Sequence, residues 1–381
     1  MKNYDFSSIA AYMADVVCAQ HGVPGCDMLI RREHETLYRH LCGYSSREDK
    51  TPLTENHLYY MYSCTKPLTV TAGMRLYEEG KLDLDAQVGN YLPAFRDVFL
   101  MKDGKKTAPV HPLTVRNLFT MTGGFDYAMH NEFTDAVIRE NPHAGTVEIV
   151  NAFARRPLCF EPGDHFQYSV CHDILAAVIE TVAGKPFAEY LDEIMFTPLG
   201  MKDSTFNDTE DVKARLAGQY SCDGRTHEIR YAGPHNGFRL TDRYESGGAG
   251  LITTVADYAK FADTMACEGR AADGYRLLKP ETVALLHTEQ LHTFVMNNTF
   301  SCAAGPGYGY GLGVRTRINQ DEGQRSPIGE FGWDGAAGAY VMMDPVNHLS
   351  ITFGMHVLNW PACIGPDHAV MRDMIYDILE L

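Results

Sequence analysis

Apolar residues return at steps of three and four soon after the chain begins. Ile9, Tyr12, Met13, Val16 and Val17 share one face with polar residues between them, which predicts an amphipathic helix over about 6–21. Two β-rich runs follow, 26–31 and 36–43, split by the polar stretch Arg32-Glu33-His34-Glu35, as in a hairpin. The far end has the same texture. Runs at 311–317, 328–331, 339–343 and 349–356 are β-rich and separated by turns. In the last, Leu349, Ile351 and Phe353 alternate with Ser350, Thr352 and Gly354, the period of two expected of a half-buried strand. A closing helix over about 367–379 sets Val370, Met371, Met374, Ile375 and Ile378 on one side.

Between these ends the period changes. The segments 69–80, 115–122, 144–154, 170–183 and 255–269 carry apolar residues at helical spacing. Strands at both ends, with no long helix between consecutive strands, favour one antiparallel sheet. The fold expected is therefore α+β: an antiparallel β-sheet flanked by N- and C-terminal helices, with an inserted mainly helical domain. The division expected is 1–55 with 301–381 for the sheet domain and 56–300 for the insert, with the active site between them. A length of 381 residues suits two or three such units. The Gly-rich and polar stretch 297–311 reads as a long loop returning to the sheet.

Composition narrows the function classes. Hydrophobic residues make up 45% and charged residues 22%, ordinary values for a globular protein. The formal net charge of −16 repels phosphate backbones, so no nucleic-acid partner is expected. No stretch approaches the ~20 apolar residues that span a bilayer, so no membrane partner is expected either. The first residues lack the basic-then-apolar pattern of a signal peptide. Ten cysteines lie far apart with no CxxC pair and read as small buried hydrophobes in a reducing compartment. Cytoplasmic localisation is the expectation. Sixteen histidines show no HExxH or HxH spacing, so neither a metal nor another cofactor is expected.

Three short segments carry candidate chemistry. In Ser63-Cys64-Thr65-Lys66, a serine and a lysine stand three residues apart at the start of a helical pattern. On a helix such residues share a face, so the amine reaches the hydroxyl, and a serine needs such a base to become a nucleophile. Pro67 places both in the first turn, near the positive end of the helix dipole. A cation is unfavourable there, which fits a lysine used partly deprotonated. Around Tyr168, a Pro162-Gly163 turn leads the ring to the mouth of the 170–183 helix, where a phenolate beside a lysine could serve as base or proton relay. In Phe331-Gly332-Trp333-Asp334-Gly335-Ala336, glycines let the backbone approach a ligand, and the N–H groups of Ala336 and Ser63 could form an oxyanion hole. Each segment alone also has a plain reading: a capped helix with a surface lysine, a packing tyrosine, a hairpin turn.

Together, in this order, the three segments resemble the serine β-lactamase and penicillin-recognising superfamily, in its class C-like branch. The likeness runs over about 6–381 and includes Gly80-Lys81-Leu82-Asp83-Leu84-Asp85, Leu113-Thr114-Val115-Arg116-Asn117-Leu118, Thr122-Gly123-Gly124 and Gly247-Gly248-Ala249-Gly250-Leu251. It implies a nucleophile at Ser63, a base partner at Lys66 and a second base at Tyr168. β-Lactam-handling members typically carry Tyr-x-Asn and Lys-Thr-Gly; here stand Tyr168-Ser169-Val170 and Trp333-Asp334-Gly335. Losing the charge-assisted contact of that lysine costs roughly 1.5–3 kcal/mol per bond to an anionic substrate. The tryptophan resembles family VIII esterases. The function expected is a serine hydrolase acting through an acyl-enzyme on carboxylic esters, with weak or no β-lactamase activity. Alternatives are a D-aminopeptidase, amidase or class C-like β-lactamase, an acyltransferase, and a non-catalytic binding protein retaining the fold. The substrate expected is a small-molecule ester or amide. Trp333, Asp334 and Gly335 are expected to contact it, with Asp334 a candidate for binding an amine and an ion pair with an arginine or a turn cap as its other reading; Tyr127, His130, Phe294 and Tyr308 are candidate pocket lining. Oligomeric state is left open.

Overall fold

The computed structural model describes residues 4–291, 305–320, 324–361 and 366–381. The strand-like ends meet in one antiparallel sheet of eight strands. From edge to edge they run Tyr308–Tyr310, Arg315–Arg317, Phe331–Asp334, Tyr340–Asp344, Leu349–Met355, Gly25–Arg32, Glu35–Ser46 and Thr51–Pro52. The two ends of the chain join where Leu349–Met355 pairs with Gly25–Arg32, Ile30 opposite Ile351. This is the α+β architecture that the hydrophobic pattern predicts.

The first hairpin turns at Glu33 and His34, both at positive φ (50° and 70°). Such a twist suits the strands but usually calls for Asn or Gly. Asp263 secures it, accepting from the His34 backbone N–H at 3.2 Å and meeting the ring Nδ1 at 2.9 Å.

The terminal helices cover one face of the sheet. The first is α-helical over Ser7–Ala11, then opens into wider turns over Tyr12–Gln20, closed by a His21 N–H to Val16 carbonyl bond of 2.9 Å. Its Ile9, Met13 and Val17, with Met371, Ile375 and Leu379 of His368–Leu379, bury Met28, Ile30, Met342, Ile351 and Phe353. Alternation predicts a half-buried strand at 349–356, yet every residue of Leu349–Met355 is buried. Ser350, Thr352 and Gly354 are small, so helix Val255–Ala266 can lie against the second face; a Cβ on Gly354 would stand 2.6 Å from Val255 Cγ2.

Two predicted strands shift. The run 328–331 is a turn, with Gly329 at φ +90° and Glu330 N–H bonded to the Pro327 carbonyl at 3.1 Å, and the strand begins at Phe331. The run 311–317 breaks at Gly313, at φ +88°, where Val70 and His172 leave no room for a Cβ; only Arg315–Arg317 is paired.

In the helical part, Cys171–Ala183 packs against Lys66–Glu78, Val115–Phe119 and Thr146–Phe153, and its residues 171–179 are all buried. A short pairing of Tyr59–Tyr60 with Ile252–Thr253 draws the chain before Ser63 against the 247–250 segment. No helix among the described residues is long and apolar enough to cross a membrane.

Candidate active site

Ser63 lies in a tight helical turn, Tyr62–Thr65, that runs directly into helix Lys66–Glu78 with Pro67 in its first turn. The residue before it, Tyr62, sits at φ +46°, a conformation costing an aromatic residue about 1–3 kcal/mol. The surroundings hold it: its hydroxyl donates to Gln219 Oε1 and its ring meets Phe238 edge-on at 5.8 Å. The turn also anchors to Leu251, the residue that follows the 247–250 segment, with Met61 N–H donating to Leu251 O at 2.9 Å and Leu251 N–H to Thr65 Oγ1 at 3.0 Å.

Lys66 is fully buried one turn beyond Ser63. Its Nζ donates to Gly248 O at 2.7 Å, Tyr127 OH at 3.1 Å and Ser63 Oγ at 3.3 Å. A carbonyl only accepts, so Gly248 fixes one N–H; the two hydroxyls can donate or accept, and so tolerate the lysine with or without its third proton.

Tyr168 reaches the serine from the loop entering helix Cys171–Ala183, its OH donating to Ser63 Oγ at 2.6 Å. Its ring is sandwiched between Tyr127 (5.3 Å, 23°) and Trp333 (5.8 Å, 19°). Lys66 Nζ stands 4.5 Å from the Tyr168 ring centre and 5.3 Å from that of Tyr127, within cation–π range. Burial, reinforced by Tyr168 and Asp173, pushes the Tyr127 phenol well above its ordinary range, so it keeps its proton at neutral pH. Tyr168, distant in sequence, is thus brought to the neighbouring pair Ser63 and Lys66.

Three supports were assigned no role in the site from the sequence. Gly248 presents its carbonyl to Lys66 because it has no side chain: a Cβ there would fall 2.6 Å from Asp173 Oδ2 and 2.9 Å from Tyr127 OH. Asp173 is buried beneath it, accepting from Ser246 Oγ at 2.6 Å, Tyr244 OH at 2.8 Å and Gly248 N–H at 3.4 Å. Tyr310 lies under Trp333, edge-on at 5.4 Å. The glycine run at 247–250, read only as part of the resemblance, and a carboxylate at Asp173 within the buried, apolar 171–179 stretch are the signals that could have marked the first two.

The third segment seats on the serine turn. A Cβ on Gly335 would meet the Met61 carbonyl at 2.5 Å, and Cys64 Sγ contacts the Trp333 carbonyl at 3.6 Å. Ala336, half-buried, occupies the turn closed by Gly335 N–H to Ala339 O at 2.7 Å. Asp334, a candidate substrate contact, instead follows its other reading, an ion pair with an arginine. It pairs with the buried Arg315 and meets His368 Nδ1 at 2.8 Å. Burial raises its pKa, but Arg315 and His368 outweigh that and hold the carboxyl below its usual range.

The pocket-lining expectations divide. Tyr127 stands in the site, bonded to Lys66. His130 is exposed and paired with Asp135 at 2.9 Å. Tyr308 is buried in a polar cluster, its hydroxyl bonded to Glu330 at 2.6 Å, Arg372 at 2.7 Å and Arg317 at 2.9 Å; charged partners, not a ligand, take its oxygen. Phe294 lies outside the described residues. A cavity of about 940 Å³ among Gln87, Phe95, Phe99, His111 and Phe133 includes none of Ser63, Lys66 or Tyr168.

A family model described as Beta-lactamase matches residues 7–363. The chain is 30% identical over 305 residues to esterase EstB of Burkholderia gladioli, covering 74% of each chain. It is 25% identical over 360 residues to a putative D-alanyl-D-alanine carboxypeptidase of Escherichia coli, covering 87% of this chain and 77% of the relative. Among solved structures, EstCE1, described as a hydrolase with promiscuous acyltransferase activity, superposes with a TM-score of 0.79 at 25% identity over 97% of both chains.

Proposed function

The chain belongs to the beta-lactamase family, and from that premise we propose a serine hydrolase that cleaves carboxylic esters through an acyl-enzyme. One observation carries the roles: Ser63 Oγ sits between Tyr168 OH at 2.6 Å and Lys66 Nζ at 3.3 Å. In this reading Ser63 Oγ attacks the ester carbonyl while its proton passes to the Lys66–Tyr168 pair. The backbone N–H groups of Ser63 and Ala336 receive the oxyanion. As the intermediate collapses, Tyr168 returns the proton to the departing alkoxide. Water then loses a proton to the same pair, attacks the acyl carbon and frees the acid and Ser63.

The third segment supports an ester over a β-lactam. Trp333 offers an apolar wall where β-lactam-handling members carry a lysine, and the Asp334–Arg315 pair leaves neither charge free for an anionic substrate. EstB, an esterase by name, lends further support. The substrate is read as a small-molecule ester or amide, with neither nucleic acid nor membrane as partner. The sheet unit, 1–55 with 301–381, supplies the Trp333 wall, and the insert, 56–300, supplies Ser63, Lys66 and Tyr168, with the site between them. A cytoplasmic location accords with eight free cysteines among the described residues.

A fluorophosphonate probe should add once to the protein and not to Ser63→Ala. p-Nitrophenyl esters should turn over faster than aminoacyl anilides and a chromogenic cephalosporin. A cephalosporin turned over faster than the esters would overturn the reading of Trp333. The acyltransferase activity of EstCE1 favours a second outcome, in which an added alcohol competes with water at deacylation and a new ester accumulates.

A further inference from the structure

Three cysteines distant in sequence meet under the terminal helices. Cys26 and Cys42 stand directly opposite each other on Gly25–Arg32 and Glu35–Ser46. Cys18 reaches them from the wide turns of Tyr12–Gln20. The Sγ–Sγ separations are 3.3 Å for Cys18–Cys42, 3.4 Å for Cys26–Cys42 and 3.8 Å for Cys18–Cys26. Cys26 is fully buried, while Cys18 and Cys42 are half-buried, so the triangle is reachable from the surface.

Thiols are weak hydrogen-bond partners for one another, and packing alone does not need three sulfurs to converge on one point. A thiophilic ion does. With Zn–S bonds of about 2.3 Å in tetrahedral geometry, the S···S edge is about 3.8 Å. Each edge of the triangle lies within about half an ångström of that, a change small side-chain rotations supply. A disulfide would use two of the sulfurs and leave the third unexplained.

We propose that Cys18, Cys26 and Cys42 form a three-thiolate site for a soft d10 cation of the Zn²⁺ class, with its fourth position open to water. Binding exchanges three S–H bonds for three S–metal bonds and releases three protons, with no change of oxidation state. The ion ties the first helix to the first hairpin in the core beneath the terminal helices, separate from the core around Ser63. It is a staple, not part of the hydrolytic machinery.

The full chain, freed of metal and reductant, is titrated with Zn²⁺ against a chromogenic chelator, and with Co²⁺ while thiolate-to-cobalt absorption is followed. One equivalent should bind, the charge-transfer band should appear, and Zn²⁺ should raise Tm by several degrees. Cys18→Ser and Cys42→Ser should lose the band and the Tm rise while keeping esterase activity at room temperature. Exposed Cys159→Ser should keep all three properties. The half-buried pair carries the test, because Cys26→Ser removes a buried core group. Absence of one-to-one binding, or binding unchanged in Cys18→Ser and Cys42→Ser, overturns the proposal. So does a chain isolated without reductant that is lighter by two hydrogens, with Cys26 joined to Cys42.

Discussion

Tyr168 and Tyr127 stack on each other and both meet Lys66, yet the proposed mechanism gives them different tasks, and substitution separates them. Tyr168→Phe removes the hydroxyl 2.6 Å from Ser63 Oγ. Loss of a general acid–base should lower kcat/KM by about 10²–10⁴-fold with little change in Tm. Tyr127→Phe removes one of three acceptors of Lys66 and leaves Gly248 and Ser63 in place. Because its buried phenol keeps its proton, the loss should be close to a single hydrogen bond, about 1 kcal/mol or fivefold to tenfold in rate. Steady-state kinetics on one p-nitrophenyl ester compares the two; equal losses would mean that Tyr127, not Tyr168 alone, handles the proton. Asp334→Ala strands a buried Arg315, with Glu330 Oε1 3.8 Å away as its remaining partner, and should cost about 3 kcal/mol in urea unfolding. The ratio of rates on an amine-bearing ester and its N-acetylated form should not move. That Ser63, Lys66 and Tyr168 belong together was legible from the resemblance of the three segments in order, since each segment alone has a plain reading. For Asp334 an arginine partner was legible as a kind of contact, but not which arginine, because Arg315 and His368 come from other elements and nothing local announces them.

At the scale of elements, the sheet and most helices were legible from period alone, and the misreadings mark what hydropathy leaves out; strand Tyr308–Tyr310 lies inside the Gly-rich 297–311 stretch read as loop. A period of two reports which side chains are apolar, not whether a small-residue face is covered; Ser350, Thr352 and Gly354 admit helix Val255–Ala266 where a solvated face was expected. Likewise Gly329 and Gly313 break runs whose composition reads as strand, because their positive φ is invisible to hydropathy. The 247–250 segment shows the same limit in the site, since a backbone carbonyl carries no side-chain signature. Gly248→Ala tests its role. The new Cβ must displace Asp173 Oδ2 or Tyr127 OH, an overpacking that costs about 1–3 kcal/mol. If the carbonyl positions Lys66, kcat should fall by more than tenfold while KM changes little, in protein that remains folded at the assay temperature. A Tm loss with unchanged kcat would reduce Gly248 to a packing role.

For the whole molecule, acid response draws on both the helical part and the sheet. Burial, then the nearby charge of Lys66, pushes His172 in the helical part down to about 3, and burial pushes His356 beyond the central strand down to about 4, from an ordinary 6.5. Each is neutral when folded and protonated when unfolded between those values, so the unfolded chain binds more protons there and stability falls as pH falls. The stabilising contribution is complete above about pH 6.5 and is lost towards pH 3–4. Glu180 and Glu245 act in the opposite sense: burial raises both, so the folded state takes up protons first and gains stability as pH drops towards the ordinary carboxylate range. The wild-type profile is therefore a difference of opposed terms, and the histidine share emerges only by comparison. Urea unfolding of the wild type and the His172→Gln/His356→Gln double variant at pH 7 and pH 5 isolates it. The wild type should lose about 3–4 kcal/mol more than the variant across that interval, the linkage expected of two histidines that stay neutral when folded. Equal losses would mean that both rings accept protons in the native state. The burial of Lys66 beside His172 would then have to relax at a pH where the hydrolase still works, and the pH–rate profile of ester hydrolysis would break at the same point.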